Sequence, residues 1–161
     1  MSISRPILRY HGGKWLLAEW IIKHMADHHT YIEPFGGAAS VLLRKERSYA
    51  EIYNDLDADV VNLFRVMRDQ GAELRRLLQL TPFAREEFSA SYEETTEPLE
   101  RARRMVIRSF QGFGSAAASG ERTGFRASSC RTGTSPAIDW RNYPEALAAI
   151  IERLQGVVVE D

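Results

Sequence analysis

The 161-residue sequence lacks several features by which whole classes of protein are recognised. Its single cysteine, Cys130, excludes a disulfide framework and a multi-cysteine metal site, and it favours a reducing compartment. No apolar run approaches the roughly 20 residues that a membrane span needs. The first residues, Met-Ser-Ile-Ser-Arg-Pro, lack the hydrophobic stretch of a signal peptide. We therefore expect a soluble, cytoplasmic protein with no membrane partner.

An excess of charge of one sign is also missing. The net charge is −1 and the isoelectric point is near 6.4, so the protein is not basic throughout, although a local basic patch is compatible with both values. The four histidines are interpreted as solvated or capping residues. No set of His, Cys, Asp and Glu has metal-ligand spacing, and we expect no metal.

Strand and helix patterns alternate in the first half of the chain. Strands are predicted at 30–33 and 50–54, and helices at 15–26, 38–44 and 57–80, the last interrupted near Gly71. Pro34 and the Gly36-Gly37 pair make a tight turn directly after the first strand. This order is typical of the opening of a doubly wound α/β sheet.

The pattern changes after residue 80. A helical insertion is predicted at 83–96, followed by a helix at 99–110 and a long loop at 111–135 rich in Gly, Ser, Thr and Arg. Pro144 is interpreted as opening a helix over 145–154, and residues 157–159 as a buried third strand. We divide the chain into a cofactor-binding part (1–80), an insertion (81–141) and a return to the sheet (142–161).

The turn at 33–38 is the first candidate for a binding site. Small residues between a strand and a helix let a ligand approach the backbone at the carboxyl edge of a parallel sheet. The spacing is not Gly-x-Gly-x-x-Gly, which argues against the pyrophosphate of a dinucleotide. An ordinary strand-to-helix turn is the alternative.

Asp55 follows the second strand, about 20 residues after that turn, where an acid can accept hydrogen bonds from ribose hydroxyls. Its alternative role is to cap the next helix, although Asp57 or Asp59 could do so instead. Tyr10 and Lys14 flank a Gly-Gly pair. An aromatic ring and a cation there could contact a purine or sulfonium and a carboxylate.

Three segments carry a family resemblance: residues 9–14 (Arg-Tyr-His-Gly-Gly-Lys), 31–40 (Tyr-Ile-Glu-Pro-Phe-Gly-Gly-Ala-Ala-Ser) and 53–57 (Tyr-Asn-Asp-Leu-Asp). In their order and spacing they resemble the Dam-like (D12 class) DNA adenine-N6 methyltransferases, over the whole chain. The resemblance implies part of a doubly wound, Rossmann-like methyltransferase sheet that carries a mainly helical insertion.

The resemblance also implies S-adenosylmethionine (AdoMet) as methyl donor, with no metal, and double-stranded DNA as partner. Tyr10 stands where many members have tryptophan, and Ala39 replaces the second glycine of a common Phe-x-Gly-x-Gly form. The family's AdoMet-binding positions correspond to seven residues here: Tyr10, Lys14, Pro34, Phe35, Gly36, Gly37 and Asp55.

The family's target-recognition insert corresponds to 101–140, where arginines greatly outnumber acids. The arginines are Arg101, Arg103, Arg104, Arg108, Arg122, Arg126 and Arg131. Arginine contacts to phosphates, and bases stacked on phenylalanine, suit a protein that must extrude an adenine from a duplex. A solvated basic helix followed by a mobile loop is the alternative. We expect DNA contacts from Arg108, Phe113, Arg122, Phe125 and Arg126.

The family's Asp-Pro-Pro-Tyr type catalytic segment has no counterpart here, because the six prolines each stand alone. We therefore assign no catalytic residue. In the sheet order that the resemblance implies, a fourth strand pairs with the first, so 31–33 would form an uncovered apolar edge. The expectations are a second chain, a swapped homo-oligomer or a shortened gene product.

The predicted function is either to form part of an adenine methyltransferase or to bind AdoMet or DNA without catalysis. A nucleotide-binding oxidoreductase is a weaker alternative, because the glycine turn is short.

Overall fold

The computed structural model describes residues 3–115, 120–127 and 133–161. In these residues three strands form one parallel sheet in the order β1-β2-β3, with β1 at Thr30–Glu33, β2 at Ala50–Asn54 and β3 at Val158–Glu160. The first two strands are confirmed as predicted, and the third lies one residue later than expected. The pairing of the first strand with the second is also confirmed.

Seven helices accompany the sheet in the described residues. Only α1 precedes β1, and α2 connects β1 to β2; the other five lie between β2 and β3. Their bounds are α1 Ala18–Lys23, α2 Ser40–Arg44, α3 Ala58–Asp69, α4 Gly71–Leu80, α5 Arg85–Ala90, α6 Pro98–Gln111 and α7 Pro136–Leu154. Nowhere in the described ranges is a helix both long and apolar enough to cross a bilayer.

The two faces of the sheet differ, because side chains alternate between faces along a strand. Tyr53 on β2 lies opposite Val159 on β3; both are buried and belong to the core that the helices complete. The other face carries the cross-strand row Ile32, Ile52 and Val158. Ile32 is 54% exposed and Val158 47%. The described helices therefore cover one face and leave an apolar row on the other.

The core forms where α3 packs against α6, α7 and the sheet. Phe64 on α3 stacks on Tyr53, with ring centroids 4.1 Å apart. The side chain of Asp57 caps the N-terminus of α3 by accepting hydrogen bonds from the N–H groups of Asp59 and Val60. Fully buried residues of the helical layer include Leu63, Leu74, Leu78, Met105, Ile107, Tyr143, Leu147 and Ile150.

The predicted interruption near Gly71 is confirmed, since α3 ends at Asp69 and α4 starts at Gly71. A Cβ atom at Gly71 would lie 2.7 Å from Cγ1 of Ile151, which is too close for any other residue. The glycine therefore lets the start of α4 approach α7.

The interpretation of Pro144 as a helix-opening residue is wrong, because Pro144 lies inside α7. The helix begins eight residues earlier, at Pro136, and the Ser135 hydroxyl caps it by accepting a hydrogen bond from the Ile138 N–H. Proline costs one helical hydrogen bond. The helix continues through it because Tyr143 and Leu147 on either side are fully buried.

Two other predicted helices are shorter in the structure. The helix expected at 15–26 extends over Ala18–Lys23, and the one expected at 83–96 over Arg85–Ala90.

Cys130 and Arg131 lie outside the described residues. The three-part division of the chain stays a prediction. The structure adds that α6, within the predicted insertion, packs directly on α3 and shares its core.

A buried ion cluster holds β2 against α7 and the end of α2. The Glu51 side chain is only 2% exposed. It accepts hydrogen bonds from Lys45 Nζ at 2.8 Å and from Arg153 Nη1 at 2.6 Å. Arg153 Nη2 also donates to the Leu42 carbonyl at 2.7 Å. Burial by itself would raise the pKa of Glu51, but the hydrogen bonds from Arg153 and Lys45 lower it to about 2.

We predict that Glu51→Gln destabilises the protein by about 3 kcal/mol at neutral pH, because it leaves two buried cations without their partner. The Glu51 pKa is depressed below its ordinary value, so the wild-type advantage should be full above pH 4.5 and decline as the pH falls toward 2. Urea unfolding at several pH values measures this. Glu73→Gln, which breaks an exposed pair with Arg76, should change the stability far less, because solvent screens the pair. Equal losses in the two variants would contradict the prediction.

Candidate functional site

The turn after β1 is held against the end of β2 by backbone and side-chain hydrogen bonds. The Gly36 N–H donates to the Asn54 carbonyl at 2.9 Å, and Asn54 Nδ2 donates to the Pro34 carbonyl at 2.9 Å. Gly37 and Ala39 have φ values of +49° and +50°, in the left-handed region. Ala39 therefore adopts a backbone conformation that glycine takes more readily.

Gly36 is required by the packing of Tyr53 on β2. A Cβ atom at Gly36 would lie 2.2 Å from Cε2 of the Tyr53 ring. The same tyrosine donates its hydroxyl to the Gly37 carbonyl at 2.7 Å. Because Tyr53 is fully buried and stacked on Phe64, it fixes the height of the turn above the sheet edge.

Asp55 supplies the second connection between β2 and the turn. Its Oδ2 accepts a hydrogen bond from the Gly37 N–H at 2.8 Å, and its Oδ1 accepts one from the Asp57 N–H at 2.9 Å. The cap of α3 is Asp57, not Asp55. Each Asp55 oxygen still has a free lone pair, since a carboxylate has about four acceptor sites. The carboxylate is thus held rigidly with acceptor capacity to spare.

The seven residues predicted to bind the cofactor come together around one cavity of about 620 Å³ at the carboxyl edge of the sheet. The cavity walls come from the loop before α1, the turn after β1 and the end of β2. The predicted residues on its lining are Tyr10, Lys14, Pro34, Phe35, Gly36, Gly37 and Asp55. That they bind a ligand stays a prediction.

The Tyr10 ring covers the turn. A Cβ at Gly37 would lie 3.1 Å from Tyr10 Cε1, so the ring rests directly on this glycine. The Tyr10 carbonyl accepts a hydrogen bond from the Gly13 N–H at 3.0 Å, which folds the Gly-Gly loop back toward the ring. Burial, followed by the charges of Asp57 and Asp55, raises the pKa of the Tyr10 hydroxyl. The ring is therefore a neutral wall of the cavity.

Glu33 also lines the cavity; the sequence placed it at the start of the candidate turn 33–38 but gave it no binding role. Its Oε1 accepts hydrogen bonds from the Tyr31 hydroxyl and the Leu42 N–H, both at 2.8 Å. Its Oε2 is buried and has no hydrogen-bond partner within the described residues. Burial raises the pKa of Glu33, although its hydrogen bonds and the charge of Lys14 oppose the shift. The sequence feature that could have identified Glu33 is its place as an acidic residue at the last position of the strand, directly before the turn.

Three arginines of α6 are engaged in ion pairs within the protein. Arg101 pairs with Asp59 at the start of α3, while Arg103 and Arg104 both pair with Glu100. The two hydrogen bonds from Arg103 and the one from Arg104, with burial opposing, lower the pKa of Glu100 to about 2. These arginines therefore stabilise the helical layer.

The arginines predicted to contact DNA have weaker partners. Arg108 and Arg122 have no carboxylate within 4.0 Å in the parts of the chain that the structure describes. Their guanidinium carbons lie 5.7 and 5.0 Å from the centroid of the Tyr92 ring. Arg126 approaches Asp139 only at 3.9 Å. Arg108 also donates a hydrogen bond to the Ser91 carbonyl. The structure thus separates arginines paired closely with acids from arginines without a close carboxylate, and among the latter Arg108 is engaged by a carbonyl.

The two predicted phenylalanines are placed differently. Phe113 is 74% exposed. Phe125 packs against Phe83 and Phe88, with centroids 5.0 and 5.8 Å away, and Arg85 lies over its ring. Only Phe113 presents a free ring in this conformation. Contacts of both with DNA stay predictions, as do those of the arginines.

Within the described ranges, no group of three or more His, Cys, Asp and Glu is placed to hold a metal ion.

A parallel α/β sheet with a small-residue turn and a rigid acid at its carboxyl edge is an arrangement typical of proteins that bind nucleotide-type cofactors. Comparison with known proteins makes the assignment specific. The sequence profile of the D12 class N6 adenine-specific DNA methyltransferases matches residues 10–124, well over half of the chain. The protein belongs to this family.

Relatives with curated names agree with the family. The DNA adenine methylase of Serratia marcescens is 34% identical over 113 residues, which covers 63% of this chain and 40% of the relative. Those of Vibrio cholerae serotype O1 and Escherichia coli (strain K12) are 30% and 32% identical, covering 44% and 42% of this chain and 25% and 24% of the relatives. The chain thus spans 40% or less of the length of these relatives.

We predict that Glu33→Gln makes the protein more stable at neutral pH, because the ionised carboxylate has a buried oxygen without a donor. Since the folded-state pKa of Glu33 is raised, its stabilising contribution is present below the ordinary value of 4.5 and is lost as the pH rises. The gain over wild type should therefore grow from pH 5 to pH 7.5 in urea unfolding. Glu86→Gln, at an exposed position, should change stability by no more than about 0.5 kcal/mol. A Glu33→Gln variant that is less stable than the wild type at pH 7.5 would contradict the interpretation that the ionised Glu33 carboxylate destabilises the protein.

Proposed function

We propose that this chain provides the AdoMet-binding and DNA-recognition part of a DNA adenine-N6 methyltransferase. The observation that carries the proposal is the cavity at the carboxyl edge, where Tyr10, Lys14, the turn 34–37 and Asp55 meet. Family membership and the similarity to DNA adenine methylases support it. The site of action would be the cytoplasm, where such a protein meets its DNA.

The cavity residues fit the chemistry of AdoMet, which has a carboxylate, an ammonium, ribose hydroxyls, an adenine and a sulfonium but no phosphate. Lys14 can pair with the carboxylate, and Asp55 has acceptor sites left for ribose hydroxyls. The unpartnered Oε2 of Glu33 offers a counter-charge for the ammonium. The exposed ring of Phe35 and the ring of Tyr10 supply apolar walls.

When bound, AdoMet would supply a methyl group attached to a positively charged sulfur. The thioether sulfur would be the leaving group, and no metal would be needed to help it leave. The protein's task is to hold the donor in one orientation and to bring the adenine amine in line with it. Asp55 is suited to the first task, because two backbone N–H groups fix its carboxylate before any ligand arrives. The Gly36-Gly37 turn allows close approach of the donor to the backbone.

The second task requires the target adenine to leave the duplex. In the proposed arrangement Arg108, Arg122 and Arg126 contact the DNA backbone, and Phe113 offers a ring on which a base can stack. Support comes from the lack of tight carboxylate partners for these arginines among the described residues and from the exposure of Phe113. Phe125 would join them only if it left its contacts with Phe83 and Phe88.

The sequence contains no Pro-Pro pair and so no Asp-Pro-Pro-Tyr type segment to accept hydrogen bonds from the adenine amine. We therefore propose that a polypeptide segment other than these 161 residues supplies these groups. Parallel sheets are normally covered on both faces. Here β1 is an edge strand, and the row Ile32, Ile52 and Val158 lies on the face that the described helices leave open. A segment that carries these groups would complete a doubly wound sheet by covering this edge and face. A second copy of this chain could cover the edge and face but would not supply the catalytic groups.

The missing catalytic segment also favours a second candidate function. A chain that binds AdoMet or DNA without transferring the methyl group needs only the features found here. Methyl transfer to duplex DNA separates the two functions, because only the first predicts any transfer, and only when the complementary polypeptide is present.

We predict that Asp55→Ala weakens AdoMet binding about tenfold or more, since hydrogen bonds to a charged acceptor contribute about 1.5–3 kcal/mol. Isothermal titration calorimetry measures the dissociation constant. The matched control is Asp57→Ala, which removes the cap of α3. It should lower the free energy of unfolding by about 1 kcal/mol and leave the AdoMet affinity unchanged. If both variants bind AdoMet as the wild type does, the ribose assignment is wrong.

We predict that the purified chain is not a monomer at micromolar concentration, because an apolar edge strand and open face favour pairing. Size-exclusion chromatography with light scattering measures the mass. Ile32→Lys on the open face should shift the protein toward monomer. Tyr49→Lys, a control at an 85% exposed position outside β1, should not. A monomeric wild type would rule out homo-oligomerisation under these conditions.

A further inference from the structure

Tyr31 is a cavity residue to which the proposed function gives no role. It lies on β1 two positions before Glu33, so both side chains project from the same face of the strand, and both line the cavity at the carboxyl edge. The Tyr31 hydroxyl donates a hydrogen bond to Glu33 Oε1 at 2.8 Å. Burial, followed by the charge of Glu33, raises the pKa of the Tyr31 hydroxyl. The hydroxyl therefore remains a hydrogen-bond donor at physiological pH.

The two oxygens of the Glu33 carboxylate differ because of this hydrogen bond. Oε1 accepts from the Tyr31 hydroxyl and from the Leu42 N–H, both at 2.8 Å, and these two donors occupy its two acceptor sites. Oε2 is buried and has no hydrogen-bond partner among the described residues. A carboxylate held by one oxygen keeps a fixed orientation and leaves its other oxygen for a ligand. Buried acceptors are nearly always paired, and a cationic donor is the strongest partner for a carboxylate.

The Tyr31 ring is itself held in place by the buried ion cluster. Lys45 Nζ lies 4.7 Å from the centroid of the ring. Lys45 is fixed in turn, because its Nζ uses all three of its donors within the protein. The acceptors are the Glu46 carbonyl at 2.6 Å, the Ser48 hydroxyl at 2.7 Å and Glu51 Oε1 at 2.8 Å. The cluster therefore fixes the ring of Tyr31 and, through its hydroxyl, the carboxylate of Glu33.

We propose that Tyr31 is a positioning residue of the cofactor cavity, whose hydroxyl orients the Glu33 carboxylate so that Oε2 binds the ammonium group of the ligand. This role rests on the proposed function, which places the ammonium of AdoMet beside Glu33. Tyr31 acts through Glu33 and makes no contact of its own with the adenosine part of the ligand. The pair thus distinguishes adenosine derivatives that carry an α-amino-acid group from those that lack one.

Two ligands test this role by isothermal titration calorimetry with the whole chain. S-Adenosylhomocysteine carries the ammonium and carboxylate of AdoMet, whereas 5′-methylthioadenosine keeps the adenine, ribose and sulfur but has no amino-acid group. Tyr31→Phe, Glu33→Gln and the double variant are compared with the wild type. Tyr31→Phe removes the hydroxyl and keeps the ring that Lys45 contacts. The matched control is Tyr49→Phe, the same change at an 85% exposed position that does not line the cavity.

We expect Tyr31→Phe to weaken the binding of S-adenosylhomocysteine about tenfold, a typical effect of losing the partner that orients a ligand-binding group. Its affinity for 5′-methylthioadenosine should stay unchanged, and Tyr49→Phe should change neither affinity. Glu33→Gln should weaken the binding of S-adenosylhomocysteine at least as much as Tyr31→Phe, because it removes the charge itself. A tyrosine that only supports the fold would lower the affinity for both ligands together, and that result would overturn the positioning role.

The double variant shows whether Tyr31 acts through Glu33. Residues that act as one unit have non-additive effects on binding. We expect the double variant to bind S-adenosylhomocysteine no more weakly than Glu33→Gln, because without the negative charge the hydroxyl has no charged group to orient. Additive losses would mean that Tyr31 contributes to binding independently of Glu33, and they would overturn the proposed role.

The same titrations separate failure of this role from failure of the proposed function. A wild type that binds neither ligand would rule out the AdoMet site and the role of Tyr31 with it. If the wild type binds both ligands and Tyr31→Phe binds them equally well, only the role of Tyr31 is overturned. A wild type that binds 5′-methylthioadenosine as tightly as S-adenosylhomocysteine would show that the ammonium adds nothing to binding, which would also overturn the role while leaving an adenosine site in the cavity.

Discussion

The attachment of the turn after β1 to the end of β2 is the constraint on which the rest of the site depends. Gly37 is held from both sides, its N–H by Asp55 and its carbonyl by the Tyr53 hydroxyl. Gly36 leaves the space that the Tyr53 ring occupies. Since Tyr53 also stacks on Phe64 of α3, the geometry of the cavity is linked to the helical core. A change in that packing would move the turn without altering any residue that lines the cavity.

The charges of the molecule fall into two groups with different physical roles. Glu51, Lys45 and Arg153 form a buried cluster in which every charge has a close partner, so the cluster stabilises the contact between sheet and helices. Glu33 instead has a buried carboxylate oxygen without a hydrogen-bond partner among the described residues. Such an atom is costly in isolation. Glu33 lines the cavity where the ammonium group of AdoMet is proposed to bind, and that contact would recover the cost.

The strands, the interruption at Gly71 and the set of residues around the cavity could be predicted from the sequence, because each rests on short-range patterns. The position of Pro144 inside α7 could not, since burial of Tyr143 and Leu147 outweighs the local preference of proline. The ion pairs of Arg101 with Asp59 and of Arg103 with Glu87 were equally hidden, because these acids are distant in sequence, whereas the pair of Arg103 with Glu100 is local. From the sequence, all arginines of 101–140 were therefore candidates for DNA contacts, whereas the structure pairs several of them with acids.

The sequence by itself determined the family, through three short segments whose order and spacing are local properties of the chain, and it indicated which residues surround the proposed cofactor cavity. Tertiary structure alone decided that Asp57 caps α3 while Asp55 holds the turn, and that Glu33 lines the cavity with one buried oxygen that has no partner among the described residues. It also decided that the described helices leave the row Ile32, Ile52 and Val158 open. The physical reason is that hydrogen-bond partners and burial are set by contacts between segments far apart in the chain, and spacing along the sequence carries no record of them.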